Sequence, residues 1–180
     1  MVEFFFTEEQ RLRAQQEGLR RQRANLVKDL KGRNNAPTRG AEAEQMHLIG
    51  AAGEMAVACY LGLEEFLYQD ERPVRGSCDL PGIDVKTRTK HWHDLLVQLD
   101  DRKDKTFVLV TIQHRRTFIH GWIDGTDCMK ESFIRTFKLG RTCYAIPKEN
   151  LHPIEELRWT TGAASPEASV GSPGKMTRHF

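Results

Sequence analysis

The stretch CDLPGIDVKTRT (residues 78–89) places Asp79 and Asp84 on either side of a Pro81-Gly82 turn, with Lys86 two positions further on. On a strand, alternate residues share a face. Ile83, Val85 and Thr87 then point one way, and Asp84, Lys86 and Arg88 the other. The turn folds Asp79 back beside Asp84. Carboxylates gathered at one spot repel one another unless a cation neutralises them, and Mg²⁺ is commonly held by one or two carboxylates plus water and substrate phosphate. A lysine beside them orients or deprotonates an attacking water, or neutralises charge developing at phosphorus. These are the groups that phosphodiester hydrolysis needs. Asp-x-Lys alone is more often a solvent-facing ion pair of little energetic value, so the reading depends on what else the chain brings to this strand.

The element that strengthens it is the segment AEAEQMHLIGAAGEMAVACYLGL (41–63), which reads as a buried helix because it is apolar on nearly every side from Leu48 to Leu61. One ionisable residue, Glu54, sits inside that run. Its helical neighbours Gly50, Ala51, Val57 and Ala58 are mostly small, so this face can approach a sheet closely. Burying an unpaired carboxylate is expensive, which gives Glu54 a reason to join Asp79, Asp84 and Lys86.

Residues 7–31 read as an earlier helix, N-capped at Thr7 and rich in strong helix formers. Leu12, Leu19 and Leu26 repeat every seventh position, a narrow seam suited to a second copy or another partner. From Arg11 to Arg39 this segment carries nine lysines and arginines against Glu17 and Asp29. Such a basic run is either a phosphate-contacting arm, with Arg20, Arg21 and Arg23 at its centre, or a solvated helix face. The turn-rich GRNNAPTRG (32–40) ends it. Strand-like runs follow at 65–69, 83–89, 94–99, 107–113 and 117–123, with 100–105 and 113–116 as hairpin connections, which predicts a largely antiparallel sheet. Residues 127–137 read as a helix capped by Asp127, 143–147 as a short strand, and 151–159 as a short closing helix. The small, polar stretch 162–180 reads as a disordered tail.

Asp79-Leu-Pro-Gly-Ile-Asp84-Val-Lys86, with GAAGE upstream, resembles the PD-(D/E)XK nuclease superfamily. The stretch from about 45 to 158, including HGWI (120–123) and LHPIEEL (151–157), looks like its small bacteriophage members, related to restriction endonucleases and Holliday-junction resolvases. The resemblance implies an α/β restriction-endonuclease-like core, with a mixed, mostly antiparallel sheet flanked by helices and a basic helical arm before it. It also implies Mg²⁺- or Mn²⁺-dependent DNA cleavage. By position it makes Asp79 and Asp84 metal ligands with the Val85 carbonyl, Lys86 the catalytic lysine, and Glu54 the helix carboxylate. Only four residues separate Asp79 from Asp84, so the hairpin must be tight, and Asp stands at 84 where Glu is commoner.

Other residues are weighed beside these. Gln98 supports the lysine or substrate, or is a satisfied polar residue at a strand end. Arg88 and Lys90 hold a phosphate next to the scissile bond, or keep the surface soluble. His91 and His93 share a strand face, yet no second ligand pair follows at metal spacing, which argues against zinc; His114 and His120 have no evident partner. Trp92 caps the core or stacks on a base, with the core favoured. GAAGE lacks the Lys-Ser/Thr of a phosphate-binding loop and follows no strand.

A chain of 180 residues with 39% hydrophobic content supports one packed domain with room for an appended element. The sequence divides into an arm and linker (1–40), a nuclease domain (41–161) and the tail (162–180). No apolar run is long enough to span a membrane, and the start does not read as a signal peptide. Four scattered cysteines without a C-x-x-C pair point to a reducing cytoplasm, that of a bacterial host if the chain is phage-encoded. The expected activity is a metal-dependent DNA endonuclease acting in recombination, repair, DNA processing or host-DNA degradation, with a homodimer formed through the N-terminal helix. The alternative is a catalytically inactive nuclease-fold module that binds DNA or a partner through that helix.

Overall fold

A computed structural model describes residues 1–28, 40–68 and 78–158. The expected linker and tail, and the last residues of the first helix, lie outside these. The described residues form an α/β protein with two mostly antiparallel sheets and three helices.

Strand β1 (Val2–Phe4) precedes helix α1 (Glu8–Lys28). Thr7 caps that helix reciprocally: its hydroxyl accepts from the Gln10 amide at 3.2 Å, and the Thr7 amide donates to Gln10 Oε1 at 2.9 Å. Helix α2 (Gly40–Leu61) follows and ends where Gly62 turns left-handed, φ 70°. The two helices touch at Gly18, where a Cβ would stand 2.7 Å from the Leu48 Cα. The basic helix is therefore packed on α2 rather than standing free as an arm.

Strand β2 (Ile83–Arg88) starts from the Pro81-Gly82 turn, which Leu80 and Ile83 close with two mutual backbone hydrogen bonds of 3.0 Å each. Gly82 has φ 73°, as the third position of a type II turn requires. The hairpin demanded by the short Asp79–Asp84 spacing is thus formed by two residues. Further on come β3 (Leu95–Gln98), β4 (Thr106–Gln113), β5 (Arg116–Asp124), the single-turn α3 (Gly125–Cys128), β6 (Ile134–Thr136) and β7 (Thr142–Ile146).

The first sheet has the order β1-β5-β4-β2, with β2 parallel to β4 and the other pairs antiparallel. The second is β3-β7-β6, antiparallel throughout. Strand β4 is buried on both faces, which explains its unbroken apolar run. Val108 and Val110 join Ile83, Val85 and the small residues of α2 in one core, while Phe107 and Leu109 join Leu95, Val97 and Ile146 in another. Helices therefore cover one face of the first sheet and the second sheet covers the other, in place of helices on both.

Four sequence expectations change. Residues 100–105 do not turn β3 back onto β4: β3 lies across β4 and pairs with β7, because Phe107 and Leu109 need an apolar cover. Residues 64–66 form a 3₁₀ turn instead of a strand, since Leu63 and Leu67, both buried, face the core at helical spacing. The expected helix 127–137 stops after Cys128, and β-branched Ile134 and Thr136 pair with β7 as an edge strand. The closing helix shrinks to a 3₁₀ turn, Ile154–Glu156, while His152 exchanges both backbone hydrogen bonds with Trp122 on β5.

Helix α2 meets β2 at Gly53, where a Cβ would lie 1.9 Å from Thr87 Oγ1. Gly53→Ala should destabilise the protein by about 1–3 kcal/mol through overpacking. Adding Thr87→Ala removes the clashing hydroxyl and should restore part of that loss, which denaturant melts of the single and double variants will measure. Strict additivity of the two changes would show that the contact is not tight.

Candidate active site

Strand parity sorts β2 as the sequence requires. Ile83 and Val85 are buried under α2, and Asp84 and Lys86 meet on the opposite face with Lys86 Nζ 2.9 Å from Asp84 Oδ1. β2 is an edge strand, and its free edge is the side that Ile83 turns toward Leu80. Val85, two residues on, donates its amide across that edge to Asp79 Oδ2 at 2.7 Å. Because the N–H and C=O of one strand residue point the same way, the Val85 carbonyl lies on the same edge as Asp79. Asp79, Asp84, Val85 and Lys86 are thus gathered around one turn of backbone.

Glu54 reaches this region from α2, but it does not arrive unpaired. Arg21 on α1 donates two hydrogen bonds of 2.6 Å to its two oxygens and a third, of 2.7 Å, to Glu17. Burial pushes the Glu54 carboxyl above the usual range against the pull of Arg21. Burial likewise opposes the Arg21 charge, yet Glu54 and Glu17 hold its pKa above the ordinary guanidinium value. These tendencies conflict, and the bidentate geometry decides for the ionised pair. Arg21 is therefore committed to carboxylates and withdrawn from the expected phosphate contacts. Arg20 also bonds Glu17, at 2.6 and 2.8 Å, whereas Arg23 stays exposed.

Two residues absent from the sequence reading complete the network. Asp101 accepts from Lys86 at 3.1 Å and from the Gln98 amide at 3.0 Å, so Gln98 supports the lysine through its backbone and Asp101. Lys105, nearly fully buried, donates to Asp84 Oδ2 at 2.8 Å. Burial disfavours the Lys86 charge, but Asp84 and Asp101 together raise its pKa, so it is an ammonium at neutral pH. The signal for Lys105 was parity: β4 pairs Phe107 with Asp84, and a residue two places before Phe107 falls on the same side. It was hidden while 100–105 read as a hairpin loop. The signal for Arg21 was Glu17, an acid among bases at i−4 spacing.

Among the described residues this network holds five carboxyl groups (Glu17, Glu54, Asp79, Asp84, Asp101) and four cations (Arg20, Arg21, Lys86, Lys105). Asp79 is the carboxyl among them without a cationic hydrogen-bond partner among the described residues. Burial, then Glu54, then Asp84 push its pKa up to about 8, against the Val85 amide and Lys86. A divalent cation fits this deficit. Among the described residues no group of three or more His, Cys, Asp or Glu is arranged to hold a metal ion, but two carboxylates and a carbonyl suffice for Mg²⁺ when water and phosphate complete the shell. Each Asp84 oxygen that accepts from a lysine keeps a second lone pair.

The remaining candidates lie further along. Arg88 is half-buried, and its Nε has no hydrogen-bond partner; Lys90 is exposed, with its Nζ 5.7 Å from the Trp92 ring centroid. Trp92 is 60% exposed and does not cap the core. His91 and His93 leave the strand for a turn, and His91 bonds Gln113. Comparison with known proteins finds no matching family model, no similar curated protein and no similar solved structure. Among the described residues no helix is long and apolar enough to cross a membrane.

A carboxyl whose folded pKa rises from 3.8 to about 8 binds a proton in the native state that the unfolded chain has released. Stability contributed by that proton is present below about pH 4 and is lost as pH climbs toward 8. In EDTA, the wild type should lose at least about 2 kcal/mol, or roughly 4–8 °C of Tm, between pH 5 and 8.5 relative to Asp79→Asn. Parallel Tm profiles for the two proteins would remove the claim that Asp79 is uncompensated.

Proposed function

We propose that this chain is a metal-dependent DNA endonuclease with a restriction-endonuclease-like core of the PD-(D/E)XK type, hydrolysing phosphodiester bonds with Asp79, Asp84 and Lys86 at its centre. The observation that carries the reading is the buried, uncompensated Asp79 carboxyl, held by the Val85 amide on the same edge of β2 as Asp84 and Lys86. Also in its favour is α2, packed against β2 at Gly53 with Glu54 beside the motif.

Asp79, Asp84 and the Val85 carbonyl would hold Mg²⁺ or Mn²⁺. Such an ion supplies Lewis-acid polarisation of the phosphate and a water made acidic enough to attack at neutral pH. Glu54 stays with Arg21 and acts on the site through charge, keeping Asp79 avid for a cation. Lys86, protonated and held from its far side by Asp101, donates to water or phosphate oxygen and stabilises the charge that develops at phosphorus. Lys105 steadies Asp84 from below. Outside the centre, Leu12 and Leu26 are exposed on α1, open to the homodimer contact, and Arg13 and Arg23 remain exposed there for phosphate, while Arg11 pairs with Glu8. Phage origin and a role in recombination, repair, processing or host-DNA degradation follow the sequence resemblance.

Supercoiled, linear, single-stranded and four-way-junction DNA should be cut with Mg²⁺ or Mn²⁺ and left intact in EDTA. Lys86→Ala and Asp84→Ala should each lower the rate by about 10²–10⁴-fold with the fold preserved. Cleavage indifferent to both substitutions would sink the assignment, and tight DNA binding without cleavage under any metal would favour the inactive binding module. Asp101→Asn should cost less, about tenfold, and shift the pH–rate profile by loosening Lys86.

A further inference from the structure

A second feature lies on the Lys86 face of the first sheet, beyond the end of β2. A cavity of about 480 Å³ opens between the β4–β5 hairpin, the turn after β2 and the segment after β7. His91, His120, Phe118 and Gln113 wall it, and His114, Arg116 and Lys148 bring positive or protonatable groups to it. Among the described residues no carboxylate lines it; Glu3, which is not part of the lining, pairs with Arg116 at 2.7 and 2.9 Å. The size is that of a small-molecule site and exceeds what a bare phosphate would fill.

The backbone is adapted to build this cavity. Leu109 pairs with Gly121 and Val110 with Ile119, so His120 is the extra residue of a β-bulge. The bulge turns His120 toward Thr111, with Nε2 and the hydroxyl 2.7 Å apart. Burial, then Lys148, push the His120 pKa down to about 4, which keeps its ring neutral and available for stacking. At the hairpin tip His114 and Arg115 both take left-handed conformations, φ 51° and 65°. A two-residue turn of this kind normally uses Asn-Gly, and each residue with a Cβ costs about 1–2 kcal/mol there.

Cation continuity connects the cavity to the candidate active site. Arg88 follows Lys86 on the same face, and its Nε is buried without a hydrogen-bond partner, as is His93 Nδ1. Lys148 lines the cavity and acts electrostatically on both His93 and His120. From the level of Lys86 to that of Gln113 is four strand residues, about 13 Å. A nucleic-acid strand rises about 3.4 Å per phosphate.

We propose that this cavity binds a nucleotide, its phosphate on Lys148, the hairpin tip at His114 and the Arg116 Nη1 that Glu3 does not engage, and its base against Phe118 and the His91 and His120 rings. Two sources share that chemistry: a residue of a DNA strand a few positions from the scissile phosphate, which rests on the nuclease reading, or a free nucleotide, which does not.

The test is titration of the isotopically labelled full chain in EDTA, so that no cleavage intervenes, followed by the ring resonances of His91, His120 and Phe118. The probes are thymidine monophosphate, thymidine, inorganic phosphate and hexathymidylate. Thymidine monophosphate should move these resonances and bind roughly tenfold or more tighter than thymidine or phosphate alone. Lys148→Gln should weaken it at least fivefold, and Phe118→Leu should weaken it while leaving inorganic phosphate unchanged. Hexathymidylate binding more tightly than the monophosphate assigns the site to a strand, and the reverse order assigns it to a free nucleotide. No movement at millimolar monophosphate, equal affinity for thymidine, or indifference to Lys148→Gln would overturn the proposal. None of these readouts depends on whether Lys86→Ala abolishes cleavage, so the two readings fail separately.

Discussion

The Arg21–Glu54 pair is the interaction on which the arrangement of this protein turns. Glu54 is buried in a helix otherwise apolar on nearly every side, and an ionised carboxylate in that position needs a partner. Arg21 reaches it from α1 with two short hydrogen bonds. Removing one partner of such a pair typically costs about 3–5 kcal/mol, because the other charge is left buried and alone. The pair therefore fixes how α1 lies on α2; Gly18 lets α1 approach α2, and Gly53 lets α2 approach β2. It also commits Arg21 to Glu54, and Asp79 is left with a neutral amide as its only hydrogen-bond donor in the network.

Strand β2 converts that charge deficit into a site. As an edge strand it has backbone groups on one side that the sheet does not use. The Pro81-Gly82 turn spends the Ile83 groups on Leu80 and brings Asp79 back to the Val85 amide. One face of β2 is sealed by α2 and carries Ile83, Val85 and Thr87, with no charged side chain. The other carries Asp84 and Lys86 between Asp101 and Lys105, where each charge has an opposite within about hydrogen-bond reach. Edge, face and turn thus deliver a carboxyl, a second carboxylate, a carbonyl and an ammonium to one small volume.

What was legible in the sequence was local. Parity along 83–88, the two-residue hairpin, the cap at Thr7 and the burial of 48–61 all follow from residues a few positions apart. What escaped depended on which strands sit beside one another. A charged loop such as 100–105 reads the same whether it closes a hairpin or carries the chain to another sheet. With β3 assigned to the wrong neighbour, Asp101 and Lys105 were connectors; with β2 parallel to β4, they face Asp84 and Lys86. Arg21 escaped for a related reason. A basic helix read in isolation looks like a phosphate-binding arm, and only its packing on α2 shows that its central arginine answers a buried acid.

The parallel pairing of β2 with β4 has one more consequence. Both strands end at the same side of the sheet, so the chain leaves them together, β2 into the His91–His93 turn and β4 into the His114-Arg115 tip. In open α/β sheets the ends where parallel strands release their loops are where ligands settle, because side chains there are not needed to hold the sheet. Acids gather near the start of β2, at Asp79 and Asp84, and bases at and beyond its end, at Arg88, Lys90 and Lys148. A chain with a net charge of only +2 therefore presents a graded face: a cation-seeking centre at one end and an anion-seeking cavity at the other. On the proposed nuclease reading, an extended polyanion laid along that face would meet the catalytic centre and the anchoring cavity within a single strand's length, which overall charge alone does not reveal.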